Sequence, residues 1–248
     1  MINNVPLNNG AGTSRQPSSP RAKALPKTRI YVVDDHAMVR MGLAALIRAE
    51  SDLELCGEAE DCATATSQVT KLRPDVVIAD ISLRGNSGLE LIKNIKVLDP
   101  GIHIVVLSVH DESIYALRVL KAGAKAYVMK QDIASKVIEA VRKVCRGEMY
   151  VSDEVASQML NRLVHGQNEP GDSPVAGLSD RELEVVTLIG SGLATREIAS
   201  RLRMSVKTVE THRAHIKTKV DLTSATPLVR FCVRWVAESS RLPVTPAA

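Results

Sequence analysis

Aromatic side chains are nearly missing from this chain: one Trp, one Phe and four Tyr among 248 residues. Any core must therefore be built from aliphatic residues and Ala. Cysteine is also scarce. Cys56, Cys62, Cys145 and Cys232 are scattered, without Cys-x-x-Cys spacing or clustered His, a pattern of reduced thiols rather than of a disulfide framework or a metal site. Long apolar runs are absent too. The longest clean one, Ile102–Val109, falls well short of the roughly 18–20 residues of a membrane span. The N-terminus lacks the roughly 7–15-residue apolar stretch of a secretory signal. Together these absences predict a cytoplasmic protein that does not enter a membrane. With 45% hydrophobic and 24% charged residues, the chain is also not disordered throughout. Its length equals about 1.7 domains at roughly 150 residues each, so one large or two small domains fit.

The net charge of +4 conceals a partition. Residues 1–28 carry four basic residues and no acidic one, residues 29–178 carry 17 basic and 21 acidic, and residues 179–248 carry 11 basic and 7 acidic. An acidic middle followed by a basic end suggests two domains with different partners, the second facing a polyanion.

Residues 1–27, rich in Asn, Ser, Pro and Gly and without a hydrophobic period, read as a disordered tail. From residue 28 to 148 five short β-branched runs (Ile30–Val33, Leu53–Cys56, Val76–Ala79, Ile102–Leu107, Ala126–Met129) alternate with five helical stretches (Met38–Ala49, Ala63–Leu72, Leu89–Leu98, Ile114–Ala122, Ile133–Cys145). That alternation predicts a doubly wound α/β domain with a five-stranded parallel sheet. Residues 149–177 form a linker with a helical patch at Asp153–Val164. Residues 178–248 are helical throughout and form a small all-α module. It opens with the capping box Ser179-Asp-Arg-Glu182, then places a short helix at Thr195–Leu202, a turn at Met204-Ser205, a longer helix to about Val220, and a last helix from Thr226.

Right-handed crossovers bring the C-terminal ends of all the strands to one edge. The first strand ends in Asp34-Asp35, the third in Asp80, the fourth in Ser108, and the fifth leads into Lys130. Singly, each reads as a turn residue or helix cap. Together, three converging carboxylates call for a cation, and a hard ion with few protein ligands suggests Mg²⁺. A hydroxyl and an ammonium beside it suit phosphoryl oxygens, with Asp80 as nucleophile.

Residues 29–148 resemble a response-regulator receiver domain, through Val32-Val-Asp-Asp-His36, Val77–Leu83, Val106-Leu-Ser108 and Gly123–Lys130. The resemblance implies phosphorylation on Asp80. It also implies Mg²⁺ held by Asp35, Asp80 and the Ser82 carbonyl with Asp34 close by, phosphate held by Ser108 and Lys130, and Ser108 with Tyr127 as the switch pair. Two departures stand out. Gln131 replaces a frequent Pro, so a trans bond is expected after Lys130, and Arg84 sits where Pro is also frequent.

On the longer C-terminal helix, Val209, Ile216 and Val220 can face a core, while Lys207, Glu210, Thr211, Ala214 and Lys217 form a polar, mostly basic stripe. Such a stripe suits a major groove, although an ordinary amphipathic helix has the same pattern. Leu178–Val186, Gly192–Ala199 and Ser205–Ile216 resemble the LuxR-type output domain, and the chain is identified as similar to NarL/FixJ-type response regulators. That resemblance implies base contacts near Glu210, Thr211 and Ala214, and DNA phosphate contacts near Thr195, Lys207, Thr208 and Lys217. It also implies a sensor histidine kinase, promoter DNA bound as a homodimer, and RNA polymerase among the partners. Two rivals are an aspartate-nucleophile phosphotransferase or phosphatase and a receiver that signals without phosphate. The first wants an acid/base carboxylate where Ser82 stands and leaves the helix-turn-helix unexplained. The second leaves no use for Asp34, Asp35, Asp80 and Lys130. The expectation is a regulator that accepts a phosphoryl group and loses it slowly, not an enzyme.

Overall fold

The computed structural model describes residues 26–83, 88–109, 112–165, 175 and 177–239. The N-terminal tail up to residue 25, Arg84 and most of residues 166–176 lie outside them. Five strands, β1 (Thr28–Val33), β2 (Leu53–Ala59), β3 (Val76–Asp80), β4 (His103–Ser108) and β5 (Ala126–Met129), alternate with α1 (Ala37–Ala49), α2 (Cys62–Leu72), α3 (Gly88–Leu98), α4 (Glu112–Lys121) and α5 (Ile133–Cys145). All pairings are parallel, and the strand order is β2-β1-β3-β4-β5. This is the doubly wound sheet expected from the alternation. After β5 a single 3-10 turn, Lys130–Asp132, leads into α5, and no described peptide bond is cis.

Strand periodicity divides the core between the two faces of the sheet. Ile30, Val32, Ile78, Val105, Leu107 and Val128 point to one face and meet Leu43 and Ile47 of α1 and Val137, Val141 and Val144 of α5. Tyr31, Val33, Val77, Ala79, Ile104, Val106 and Tyr127 point to the other and meet side chains of α2, α3 and α4. β2 runs three residues beyond the apolar stretch read from the sequence. A bulge at Cys56 of β2, opposite the step from Ile30 to Tyr31 on β1, re-registers the pair, so that Tyr31 stands opposite Gly57 rather than Cys56. A Cβ on Gly57 would lie 2.7 Å from the Tyr31 ring, so the residue that hides the strand in the sequence is the one that admits the ring.

The chain continues through α6 (Asp153–His165) to four helices: α7 (Asp180–Gly190), α8 (Thr195–Arg201), α9 (Val206–Lys219) and α10 (Ala225–Ser239). The capping box at α7 is complete, with Ser179 and Glu182 each accepting from the other's backbone N–H. Leu183, Val186, Ile198, Val209, Ile216, Leu228 and Trp235 make the core of this bundle. That core is continuous with the α2–α4 face of the sheet domain. Tyr115 of α4 is buried with its hydroxyl 3.0 Å from Thr187 of α7, and Arg118 and Lys93 both reach Asp180.

Candidate functional site

Strand register assembles the acidic cluster. Val33 is level with Ala79, Asp80 with Leu107 and Ser108 with Met129. Asp34, the residue that follows β1, is therefore beside Asp80, and Ser108 at the end of β4 and Lys130 just after β5 continue the row. Asp34, Asp80 and Ser108 are all buried. Carboxylate oxygens of Asp34, Asp35 and Asp80 and a ring nitrogen of His36 lie within 4.8 Å of one another.

Lys130 supplies the counter-charge. Its Nζ is 2.8 Å from Asp80 Oδ2 and 2.7 Å from Asp34 Oδ2. Asp80 Oδ1 accepts the Ser82 N–H at 2.9 Å. Burial raises the Asp80 carboxyl above its ordinary pKa, against the opposing pull of Lys130. Burial also works against the Lys130 ammonium, but Asp80 and Asp34 outweigh it and its pKa is raised. A buried carboxylate that needs positive charge beside it is what a cation-assisted nucleophile requires. The donor set fits a hard divalent ion of the Mg²⁺ type, because its oxygens are carboxylates and Asp34 Oδ2 is buried with an ion pair but no well-angled hydrogen bond.

Ser82 is half-buried directly after the Asp80–Ile81 turn. Tyr127 is buried in the α4-side core, one strand position past the level of Val105. Three neighbours of the cluster carried no role in the sequence reading. His36 Nδ1 lies 2.8 Å from Asp35 Oδ1, and its backbone N–H donates to Asp34 Oδ1 at 2.7 Å. Arg40 donates to the Asp34 carbonyl at 2.7 Å and pairs with Glu58. Gly88 begins α3 against the end of β3, where a Cβ would lie 2.4 Å from the Asp80 carbonyl oxygen. For His36 the available signal was its place directly after Asp34-Asp35. For Arg40 and Gly88 there was none, because their contacts come from packing.

The second site is the outer face of α9. Ser205 caps the helix by accepting the Thr208 N–H at 3.0 Å, and the Thr208 hydroxyl is 2.7 Å from the Ser205 hydroxyl. Val209 and Ile216 are buried and Val220 half-buried, as the apolar stripe requires. Lys207, Thr208, Glu210, Thr211 and Ala214 are exposed, and Lys217 and Thr195 are half-buried. Thr211 donates its hydroxyl proton to the Lys207 carbonyl at 3.0 Å, leaving its methyl and oxygen lone pairs outward. The α8–α9 turn passes through Arg203 in the left-handed region, at φ 51°.

Residues 30–142 match the response regulator receiver domain family, and residues 176–232 match the bacterial regulatory proteins of the luxR family. The chain is 37% identical over 210 residues to the oxygen regulatory protein NreC of Staphylococcus haemolyticus, covering 83% of this chain and 97% of the relative. It is 37% identical over 209 residues to the transcriptional regulatory protein LiaR of Bacillus subtilis, with the same coverage. Among solved structures, it is similar to RcsB from Salmonella enterica serovar Typhimurium bound to promoter P1flhDC in the presence of the phosphomimetic BeF3−. That match has 25% identity and a TM-score of 0.60, covering 84% of this chain and 99% of the other. With the sheet order, the acidic pocket and the helix-turn-helix in place, these matches establish that the chain belongs to the two-component response regulators that join a receiver domain to a LuxR-type DNA-binding domain, and is a transcription factor rather than a conventional enzyme.

Proposed function

We propose that a sensor histidine kinase phosphorylates Asp80 and that this controls binding of the C-terminal helix-turn-helix to promoter DNA. The observation that carries the reading is the cluster in which the buried Asp34 and Asp80 meet the partly buried Asp35 and Lys130 beside the buried Ser108. An Asp80 carboxylate oxygen bonds to phosphorus as the phosphorus–nitrogen bond of the kinase phosphohistidine breaks. Lys130 and Ser108 then hold the phosphoryl oxygens, and Ser108 with Tyr127 passes the change towards α4. Asp34, Asp35, Asp80 and the Ser82 carbonyl would hold Mg²⁺, which adds positive charge next to the transferred group.

In the DNA complex Glu210, Thr211 and Ala214 read base edges, and Thr195, Lys207, Thr208 and Lys217 hold phosphates. The exposed Val229 and Val233, one turn apart on α10, support a homodimer. Residues 28–148 act as the receiver, 149–177 as the linker and 178–248 as the output domain. Among the described residues no helix is long and apolar enough to cross a membrane, in keeping with a cytoplasmic regulator that works beside RNA polymerase.

Incubation of the full chain with a small-molecule phosphodonor and Mg²⁺, followed by intact mass, tests the assignment. The expected result is the gain of one phosphate, lost on chelation of the metal and lost in Asp80→Asn. Undiminished labelling of Asp80→Asn overturns it.

A further inference from the structure

Three consecutive side chains in the first turn of α7 hold three different parts of the molecule. Successive residues of a helix point about 100° apart, so Asp180, Arg181 and Glu182 leave the helix in separate directions. Asp180 faces the receiver: its Oδ1 accepts from Arg118 of α4 at 3.1 Å and its Oδ2 from Lys93 of α3 at 2.9 Å. Arg118 also donates to the backbone carbonyls of Leu178 at 2.8 Å and Val175 at 3.0 Å, so the segment entering α7 is held along with its first residue. Arg181 donates to the Leu202 carbonyl at 2.8 Å, at the end of α8 and one residue before the strained Arg203 of the helix-turn-helix turn. Glu182 is buried, and its Oε2 accepts from Lys219 in the last turn of α9 at 2.7 Å and from the Ser179 N–H at 2.7 Å. His215 of α9 stands 3.9 Å from its other oxygen.

The receiver grips the start of α7, and that same turn holds the end of α8, where the chain turns towards α9, and the far end of α9, the helix that carries the DNA-facing stripe. The stripe itself is open, since Lys207, Glu210, Thr211 and Ala214 are exposed with the receiver in contact with α7. The contact therefore leaves the reading face uncovered, and what it can set is the placement of that face. We propose that the first turn of α7 is the coupling element of this regulator: Asp180 registers the receiver, and Arg181 and Glu182 are positioning residues for the recognition helix. This rests on the reading that phosphorylation of Asp80 controls DNA binding. It adds that control runs through placement of α9 by α7 rather than by shielding its DNA face.

Lys219 has a particular role in this arrangement. With its ammonium held by Glu182 it is spoken for within the domain, whereas Glu182→Gln keeps an oxygen for the Ser179 N–H but removes the charge that holds Lys219, releasing the cation to DNA phosphates. Loss of Asp180's charge should uncouple the receiver while leaving the helix-turn-helix intact.

The experiment uses the full chain, with and without phosphodonor and Mg²⁺, each sample checked for phosphate by intact mass. The probes are a duplex enriched from a random library by the wild-type protein and a scrambled duplex of the same length. For Asp180→Asn, the ratio of specific affinities with and without phosphate is expected to fall to about one, with Asp180→Glu restoring it. For Glu182→Gln, specific affinity should drop about tenfold in both states while binding to the scrambled duplex holds and its salt slope steepens by about one unit. A merely structural loss would instead weaken both duplexes together and leave the slope alone. The proposal is overturned if Asp180→Asn keeps the wild-type phosphorylation response, or if Glu182→Gln weakens both duplexes equally at an unchanged slope. A wild-type protein that takes up phosphate without any change in DNA affinity overturns the regulatory reading itself, and the coupling proposal with it. Only that case shows in the unmutated chain.

Discussion

The acidic cluster depends on close approach as much as on charge. Gly88 donates its N–H to the Ile81 carbonyl at 3.0 Å, and a Cβ there would lie 2.4 Å from the Asp80 carbonyl oxygen and 2.5 Å from Ile81 Cα. Both are backbone atoms, so no side-chain rotation relieves the overlap. Gly88→Ala is expected to cost about 1–3 kcal/mol, read from the denaturant midpoint, and to slow phosphate uptake by displacing Asp80. Lys130 contributes through charge. Its removal leaves the buried carboxylates of Asp34 and Asp80 without the ammonium 2.7–2.8 Å away. Lys130→Ala should still accept phosphate but respond poorly, so that DNA affinity barely changes on phosphorylation. A wild-type DNA-binding response in that variant would remove Lys130 from the coupling role. His36, whose ring lies against Asp35, could be noticed in the sequence only as a neighbour of the two aspartates. The chain alone does not say which way an imidazole turns.

At the scale of the element, α9 shows how much a helical period determines. Its apolar stripe requires Val209 and Ile216 to face inward, and they do. The opposite stripe then has Lys207 and Lys217 towards its ends and Glu210, Thr211 and Ala214 in the middle. Cations at the ends suit DNA phosphate contacts, and a carboxylate, a hydroxyl and a methyl in the middle suit base edges. Lys207→Ala should therefore weaken specific and scrambled duplexes alike and lower the salt slope by about one unit. Thr211→Ala should instead narrow the gap between them by roughly 1–3 kcal/mol. A salt titration of both variants on both duplexes decides it, and an unchanged slope for Lys207→Ala would exclude this docking mode. Where period failed was β2. Gly57 looks like the end of a strand, yet the bulge turns it into the position that accepts the Tyr31 ring.

At the scale of the whole molecule, one apolar cluster runs from the α2–α4 face of the receiver into the output bundle. Tyr115 is its polar pin. Thr187 already donates to the Leu183 carbonyl at 2.9 Å, so the shared hydrogen between the two hydroxyls comes from the tyrosine. Burial pushes the phenol pKa well above its ordinary value, which keeps that donor protonated. Tyr115→Phe should cost about 1 kcal/mol, the worth of one such bond, whereas Tyr115→Ala opens a cavity worth about 3–5 kcal/mol. Denaturant unfolding followed by two probes checks this: coincident curves in the wild type and in Tyr115→Phe, separated receiver and output transitions in Tyr115→Ala. Coincident curves for all three would mean that the contact does not bind the two domains into one cooperative unit.

The sheet, the helices on its two faces, the helix-turn-helix and the strand-end cluster of Asp34, Asp35, Asp80, Ser108 and Lys130 were all legible in the amino-acid sequence. Each follows from local regularity: two-residue and 3.6-residue periods, a capping box, and the rule that parallel strands end on one edge. The tertiary structure decided what depends on two distant surfaces meeting. Arg118 and Tyr115 look in the sequence like ordinary residues of an amphipathic helix, and Asp180 and Glu182 like members of a capping box. Only the packing of α7 on α4 gives Asp180 its arginine, and only the packing of α9 on α7 gives Glu182 its lysine. Period specifies which face of an element is buried. It does not specify which other element buries it, because that choice is made by shape and charge across contacts far apart in the chain.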